Sequence, residues 1–316
     1  MKFISGRAMV LSALCLTPVT CMAAIDEDSV RQGAGAALYL SKDNEGFVTQ
    51  RAAIEYLPKY KHADSLTGFR YTTHHFEQND WSRSGQQISV LHRETDPATA
   101  NGWQAEGGFF RQGQHDLFTA DANYRRMLAE RTGLELFLSR DWVETANALD
   151  KGIHFTFSGI ALEQGLGAHV TVVGIGGRQN FSDGNARNHR RLKLIVQPDL
   201  DLGLTLQARY RAYDSSSENV GRNYFNPGHY EESMLALAWR KKIQGWNASV
   251  TAGYGQQKVG DDPRTATHLL EVGLQSPINR TDSFRMRGGL NSNGSFNGPN
   301  YRYRYLLAEW IIGFPD

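Results

Sequence analysis

The chain has 316 residues, with 34 basic side chains against 33 acidic ones. That balance leaves no basic footprint for nucleic acid, which is not expected as a partner. No stretch approaches roughly eighteen consecutive apolar residues, so helical membrane spans are excluded.

Residues 1–24 open with Lys2 and Arg7, continue as an apolar run over 8–19, and end in Cys21-Met22-Ala23-Ala24. The run is too short to cross a bilayer and small residues follow it, which predicts a cleaved secretory signal. A lipoprotein signal would need small residues before Cys21, and Val19 and Thr20 do not fit. Both cysteines of the chain, Cys15 and Cys21, lie in this segment, so residues 25–316 are expected to hold together without disulfides. With Lys2 and Arg7 removed, 32 basic residues remain and the formal charge is near −1.

Beyond the signal, runs of alternating apolar and polar residues recur along the chain. They cover 34–41, 48–57, 66–76, 86–94, 103–112, 117–127, 132–143, 153–163, 168–179, 190–197, 203–214, 231–242, 246–259, 267–275, 284–291 and 300–314. That makes about sixteen strands, with fourteen also open, in one all-β domain uninterrupted by any long amphipathic helix. Connections after even-numbered runs are mostly short (128–131, 164–167, 198–202, 243–245). Several after odd-numbered runs are longer and polar (180–188, 215–230, 260–266, 292–299). Short turns at one rim, long loops at the other and an even strand count predict an antiparallel transmembrane β-barrel of the bacterial outer membrane.

The faces sharpen this. In 203–214, Leu204, Leu206, Ala208, Tyr210 and Ala212 alternate with Thr205, Gln207, Arg209, Arg211 and Tyr213. A soluble β-sandwich or solenoid also alternates, but its inner face is usually rich in large branched residues. Here the apolar faces mix alanine and glycine with aromatic residues at strand ends, as in the girdles of membrane barrels. The terminal segment 301–314, YRYRYLLAEWIIGF, splits in the same way. Leu306, Ala308, Trp310, Ile312 and Phe314 are expected to face lipid. Arg302 and Arg304 share that face at the outer rim, where lipopolysaccharide phosphates could pair them.

A sixteen-stranded barrel is too wide for side chains to fill, so an aqueous lumen is expected unless loops plug it. The residues predicted to face it carry both signs: Arg70, Glu106, Asp121, Arg125, Glu135, Asp141, Arg191, Lys193, Arg209, Arg211, Glu232, Arg240, Glu271, Arg285, Arg287 and Glu309. Interleaved with Tyr213, Phe110, Phe137, Tyr301, Tyr303 and Tyr305, they suit a hydrated neutral or zwitterionic polymer. A polar network that only stiffens the wall remains open as an alternative.

The longest loop carries Tyr224-Phe225-Asn226-Pro227, followed by Tyr230 and an alternating strand that ends in Trp239-Arg240. Gly245-Trp246 and Gly253-Tyr254-Gly255 come next. From Tyr224 onward, this pattern resembles the C-terminal barrels of exopolysaccharide secretion proteins. These are the exporters of cellulose and poly-β-1,6-N-acetylglucosamine, together with barrel-only relatives. The resemblance implies a passive outer-membrane conduit for export or anchoring of a secreted polysaccharide in biofilm. Its glycan path would run along Tyr301, Tyr303, Tyr305, Glu309, Arg285, Arg287, Arg209, Arg211, Tyr213, Glu232, Tyr224, Phe225 and Pro227. Those exporters carry a tetratricopeptide scaffold that this sequence lacks, so a separate periplasmic scaffold protein is an expected partner. Outer-membrane lipid, lipopolysaccharide and the barrel-assembly machinery are the others.

His154 and Thr156 fall on one face of a strand, but a polar lumen pair explains them better than a nucleophile and base. His74 and His75 point to opposite faces and cannot share a metal. Gly174-Ile175-Gly176-Gly177 opens no helix, so it carries no nucleotide reading. Asn188-His189-Arg190-Arg191 reads as a rim patch for lipopolysaccharide phosphates. No cofactor, metal or enzymatic activity is expected. The open rivals are a plugged adhesin or phage receptor closed by the 215–230 loop, and a lipid-modifying enzyme using His154 and Thr156.

Overall fold

A computed structural model describes residues 30–96, 98–199, 201–277, 282–295 and 298–314, without the side chains of 293–300. The signal expected over 1–24 lies outside these residues. The strands are β1 (Arg31–Asp43), β2 (Val48–His62), β3 (Ser65–Gln78), β4 (Trp81–Thr95), β5 (Gly102–Gln112), β6 (His115–Ala129), β7 (Thr132–Trp142) and β8 (His154–Gly165). They continue as β9 (Val170–Phe181), β10 (Ala186–Val196), β11 (Leu204–Ser215), β12 (His229–Ile243), β13 (Trp246–Val259), β14 (Thr265–Gln275), β15 (Asp282–Ser295) and β16 (Gly298–Gly313). Each pairs antiparallel with its chain neighbours, and β1 pairs with β16, so the sheet closes into a sixteen-stranded barrel with no free edge. Every expected run overlaps one of these strands, overrunning its ends by at most two residues.

Strands of 11 to 16 residues exceed the roughly 9–11 that a tilted strand needs to cross hydrocarbon. Their outward faces are apolar and exposed, as in Ile54, Ile88, Phe118, Leu235 and Leu237. Aromatic residues meet across strands near the short-turn rim, where Tyr56 opposes Phe69, Trp103 opposes Tyr124 and Phe284 opposes Trp310. In β16, Leu306, Trp310, Ile312 and Phe314 are all outward and exposed, as the alternation predicts. In water such a wall would be a large apolar patch; against lipid it is the expected surface.

The connections differ from the expected ones. Because the strands extend further, 182–185 and 260–264 are short turns. The long-loop rim is dominated by two segments, 143–153 and 216–228. The first was not anticipated and contains one short helix, α1 (Ala146–Asp150), capped by the Thr145 hydroxyl, which accepts from the Ala148 amide.

Candidate functional site

Both long segments fold inward over the mouth. In α1, Ala148 and Leu149 are fully buried. Leu149 packs with Phe47, Phe76, Phe110, Leu117 and Trp142. The same segment reaches across the mouth to β2, where Glu144 pairs with Arg51 and accepts from the Thr49 hydroxyl at 3.5 Å. Asp150 accepts from the Trp81 indole at 3.0 Å and pairs with Arg83, and Gln112 donates to the Leu149 carbonyl at 2.9 Å. Toward the far wall, Asn147 donates to the Arg222 carbonyl at 3.0 Å and the Lys151 ammonium to Asn223 Oδ1 at 2.8 Å. The two loops therefore form one lid.

The second half of that lid is held by the motif that drew attention in the sequence. Tyr224 stacks on Phe181 with ring centroids 4.6 Å apart. The Arg187 guanidinium lies 4.8 Å from the Phe181 ring, 5.1 Å from Tyr213 and 5.3 Å from Tyr224. It also donates to the Phe225 carbonyl and, at 3.1 Å, to Asn226 Oδ1. The Tyr224 hydroxyl donates to the Asp183 carboxylate and accepts from Asn185, and burial raises its pKa above the usual phenol value. Phe225 packs with Tyr213 and Tyr230, whose rings stack 5.1 Å apart. Tyr224, Phe225 and Tyr213 are thus buried in the latch of the lid, with Pro227 on the same segment.

The opposite mouth is narrowed by a different device. Strand β2 shifts register between Tyr56 and Lys59, around Pro58, and again before His62. A proline cannot donate to the ladder and favours such bulges. The β2–β3 hairpin tip turns inward: Ala63 and Ser65 are buried, and Leu57, Tyr60, Leu66, Leu91 and Ile311 form an apolar cluster beneath it. Arg285 donates to Asp64 at 2.7 Å and fastens the tip to β15.

Between the mouths the predicted charges face inward, and both unlike and like charges meet across strands: Arg125 stands opposite Glu135, Arg211 opposite Glu232 and Arg285 opposite Glu309. On β5 and β6, Glu106 stands opposite Asp121. On β10 and β11, Arg191 stands opposite Arg211 and Lys193 opposite Arg209. Like charges opposed across a sheet are destabilising, so such pairs are unlike a wall that only neutralises itself. Ion pairs link the unlike charges. Arg70 bridges Glu55 and Glu106, and Arg211 donates to Glu232 at 2.7 Å and to the Tyr230 hydroxyl at 3.1 Å. Glu309 lies 3.8 Å from both Arg70 and Arg93, and Arg287 lies 3.8 Å from Glu271. Tyr301, Tyr303 and Tyr305 form a ladder with centroid spacings of 6.4 and 5.8 Å. Their ends are tied, with Tyr301 donating to Asp43 at 3.1 Å and Tyr305 to Glu271 at 2.5 Å.

Three other readings change. In the 188–191 segment only Asn188 and Arg190 face outward, with Arg190 paired to Asp214; His189 is buried inward against Phe157 and Tyr213. The segment is therefore not a single rim patch. His154 and Thr156 lie outside the lumen, because Phe155 and Phe157 take the inward positions. Arg140 sits between them, its guanidinium 2.8 Å from the Thr156 hydroxyl and 3.0 Å from His154 Nε2. The imidazole lone pair is thus directed at a cation and not at the threonine, which disfavours general-base work. His74 is buried and His75 half-buried beside Ser84, on opposite faces as expected. Sequence reasoning missed Arg187, Glu144 and Leu149; the signal present for the last was an apolar leucine in the connection between two strands.

No family model matches the chain, and no curated protein matches it. Solved structures do. A bacterial polysaccharide outer membrane secretin superimposes with a TM-score of 0.67 at 12% identity, covering 90% of this chain and 99% of that one. Pseudomonas aeruginosa OprD gives a TM-score of 0.46 at 11% identity over 91% and 96% of the two chains. The KdgM porin in complex with disordered oligogalacturonate gives 0.40 at 8% over 89% and 99%. At these identities the likeness is one of fold: the chain has a closed antiparallel barrel similar to that of the polysaccharide secretin.

Proposed function

We propose that this protein is a gated outer-membrane conduit for a secreted polysaccharide, held closed in this structure by its own loops. The observation that carries the reading is a lumen lined by charges of both signs and a tyrosine ladder, enclosed between two separate closures. A lining of both signs suits a hydrated chain that bears both signs or strong dipoles, and many weak contacts let it slide. The likeness to the polysaccharide secretin supports this substrate class, and the apolar outer wall with its aromatic girdle supports the membrane location. The test is deletion of the gene in its host with measurement of surface polysaccharide, together with planar-bilayer recording of the purified barrel. Unchanged polysaccharide on the deletion strain refutes export.

A second reading is favoured by the buried lid: a permanently plugged surface receptor. Lid variants that stay silent in bilayers while remaining folded would establish it.

A further inference from the structure

The outer wall has a feature that the conduit does not use. On the outward face of β10 to β16 and β1, a groove of about 1280 Å³ is lined by apolar side chains. That is larger than the roughly 300–1,000 Å³ of ordinary ligand pockets. It follows a row of directly opposed residues: Val196 faces Leu206, which faces Leu237, then Ala252, Leu270 and Leu290. The row then changes character, as Leu290 faces Arg304 and Arg304 faces Lys42.

On the lumen side of this row, Gly253 and Gly289 are packed over by neighbouring side chains. A Cβ on Gly253 would lie 2.8 Å from the Met234 sulfur, and one on Gly289 would lie 2.8 Å from the Tyr305 ring. Neighbouring side chains have moved into the space those glycines leave.

Lys42, Arg302 and Arg304 are all exposed and stand together at the long-loop end of the groove. Among the described residues, no carboxylate forms an ion pair with any of them. Two cations opposed across a strand pair repel, and an anion seated between them reverses the sign of that contribution. An apolar trough that crosses six strands, ending in a cationic cluster on β16 and β1, matches a ligand with several acyl chains and a phosphate at one end.

We infer that this groove is a binding site for a phosphorylated, multiply acylated glycolipid of the lipid A type. Its acyl chains lie along Leu206, Leu237, Leu270 and Leu290, and a phosphate is held by Lys42, Arg302 and Arg304. The site rests on the membrane location proposed above and is independent of what crosses the lumen. Its place at the long-loop rim selects a lipid of the outward-facing leaflet over an ordinary glycerophospholipid.

The test is native mass spectrometry of the delipidated barrel titrated with lipid A, with dephosphorylated lipid A and with phosphatidylethanolamine. One lipid A per barrel is expected, and loss of the phosphates should weaken binding at least about tenfold, the scale of one charge-assisted contact. The combined variant Lys42→Gln, Arg302→Gln, Arg304→Gln should bind lipid A as weakly as wild type binds the dephosphorylated form. Ala252→Trp, which fills the trough and leaves the cations in place, should weaken both lipids alike. Heat-modified gel mobility confirms that each variant is a folded barrel. Equal binding of phosphatidylethanolamine and lipid A, or undiminished lipid A binding by the triple variant, overturns the site. So does a delipidated barrel that dimerises through the groove. A barrel that binds lipid A but never conducts would refute the conduit and leave this site standing.

Discussion

Removing the Arg187 guanidinium should open the lid. Arg187 is 3% exposed, touches three aromatic rings and donates to Phe225 and Asn226. Each desolvated cation–π contact contributes about 0.5–2 kcal/mol, and each hydrogen bond from a charged donor about 1.5–3. The guanidinium's own desolvation opposes them. A net loss of about 3–4 kcal/mol from the latch is therefore expected in Arg187→Ala. Because each 1.4 kcal/mol is a factor of ten, the open population rises by roughly two to three decades. The ring of β-strands is not broken, so the barrel itself remains folded. Single-channel recording reads the change as frequent openings where the wild type is mostly closed. Arg187→Lys keeps the charge and loses the planar stack, so its open fraction should lie between the two. If folded Arg187→Ala shows the wild-type open probability, the latch does not hold the pore shut and the gating argument fails.

Leu149→Ala should loosen the other half of the lid by about 2–5 kcal/mol, the usual cost of emptying a filled apolar site. Faster trypsin cleavage at Lys151 with an intact barrel would register it. Arg70→Met strands Glu55 and Glu106 in a buried site without their shared cation and should lower barrel stability by about 3–5 kcal/mol, measured by urea unfolding in vesicles. Asp96, in the 96–101 turn, is held below the usual carboxylate range, first by the Thr99 hydroxyl and then by the Ala98 amide. A depressed pKa stabilises above the unfolded value and is lost as pH falls through the folded one. Order in this turn should therefore decline below about pH 4. Asp96→Asn should abolish that dependence in amide-exchange profiles.

The barrel was legible in the sequence because its physics is local. A strand between lipid and water must alternate, and the period of two survives in Leu204–Tyr213 or Leu306–Phe314 whatever the neighbours do. The inward charges were legible for the same reason. What alternation does not encode is which strands meet across the sheet. The opposition of Arg191 to Arg211 and of Glu106 to Asp121 depends on register, and so became visible only in the structure. The lid is less legible still, since Leu149 finds its partners on β3, β5 and β6 through the closed geometry of the mouth. One trace was present: Pro58, immediately after the alternating run 48–57, marks the place where β2 breaks register and its hairpin turns inward.

That hairpin alters how the barrel would behave as a passage. The lid and the hairpin tip are made from unrelated stretches of chain and share no contact among the described residues. Each can yield while the other stays shut, in the manner of a canal lock. A polymer entering at the short-turn end would displace the tip first and meet the latch only later. The cell envelope would then stay sealed to small solutes at every stage of transit, and the force of the growing polymer would supply the work of opening.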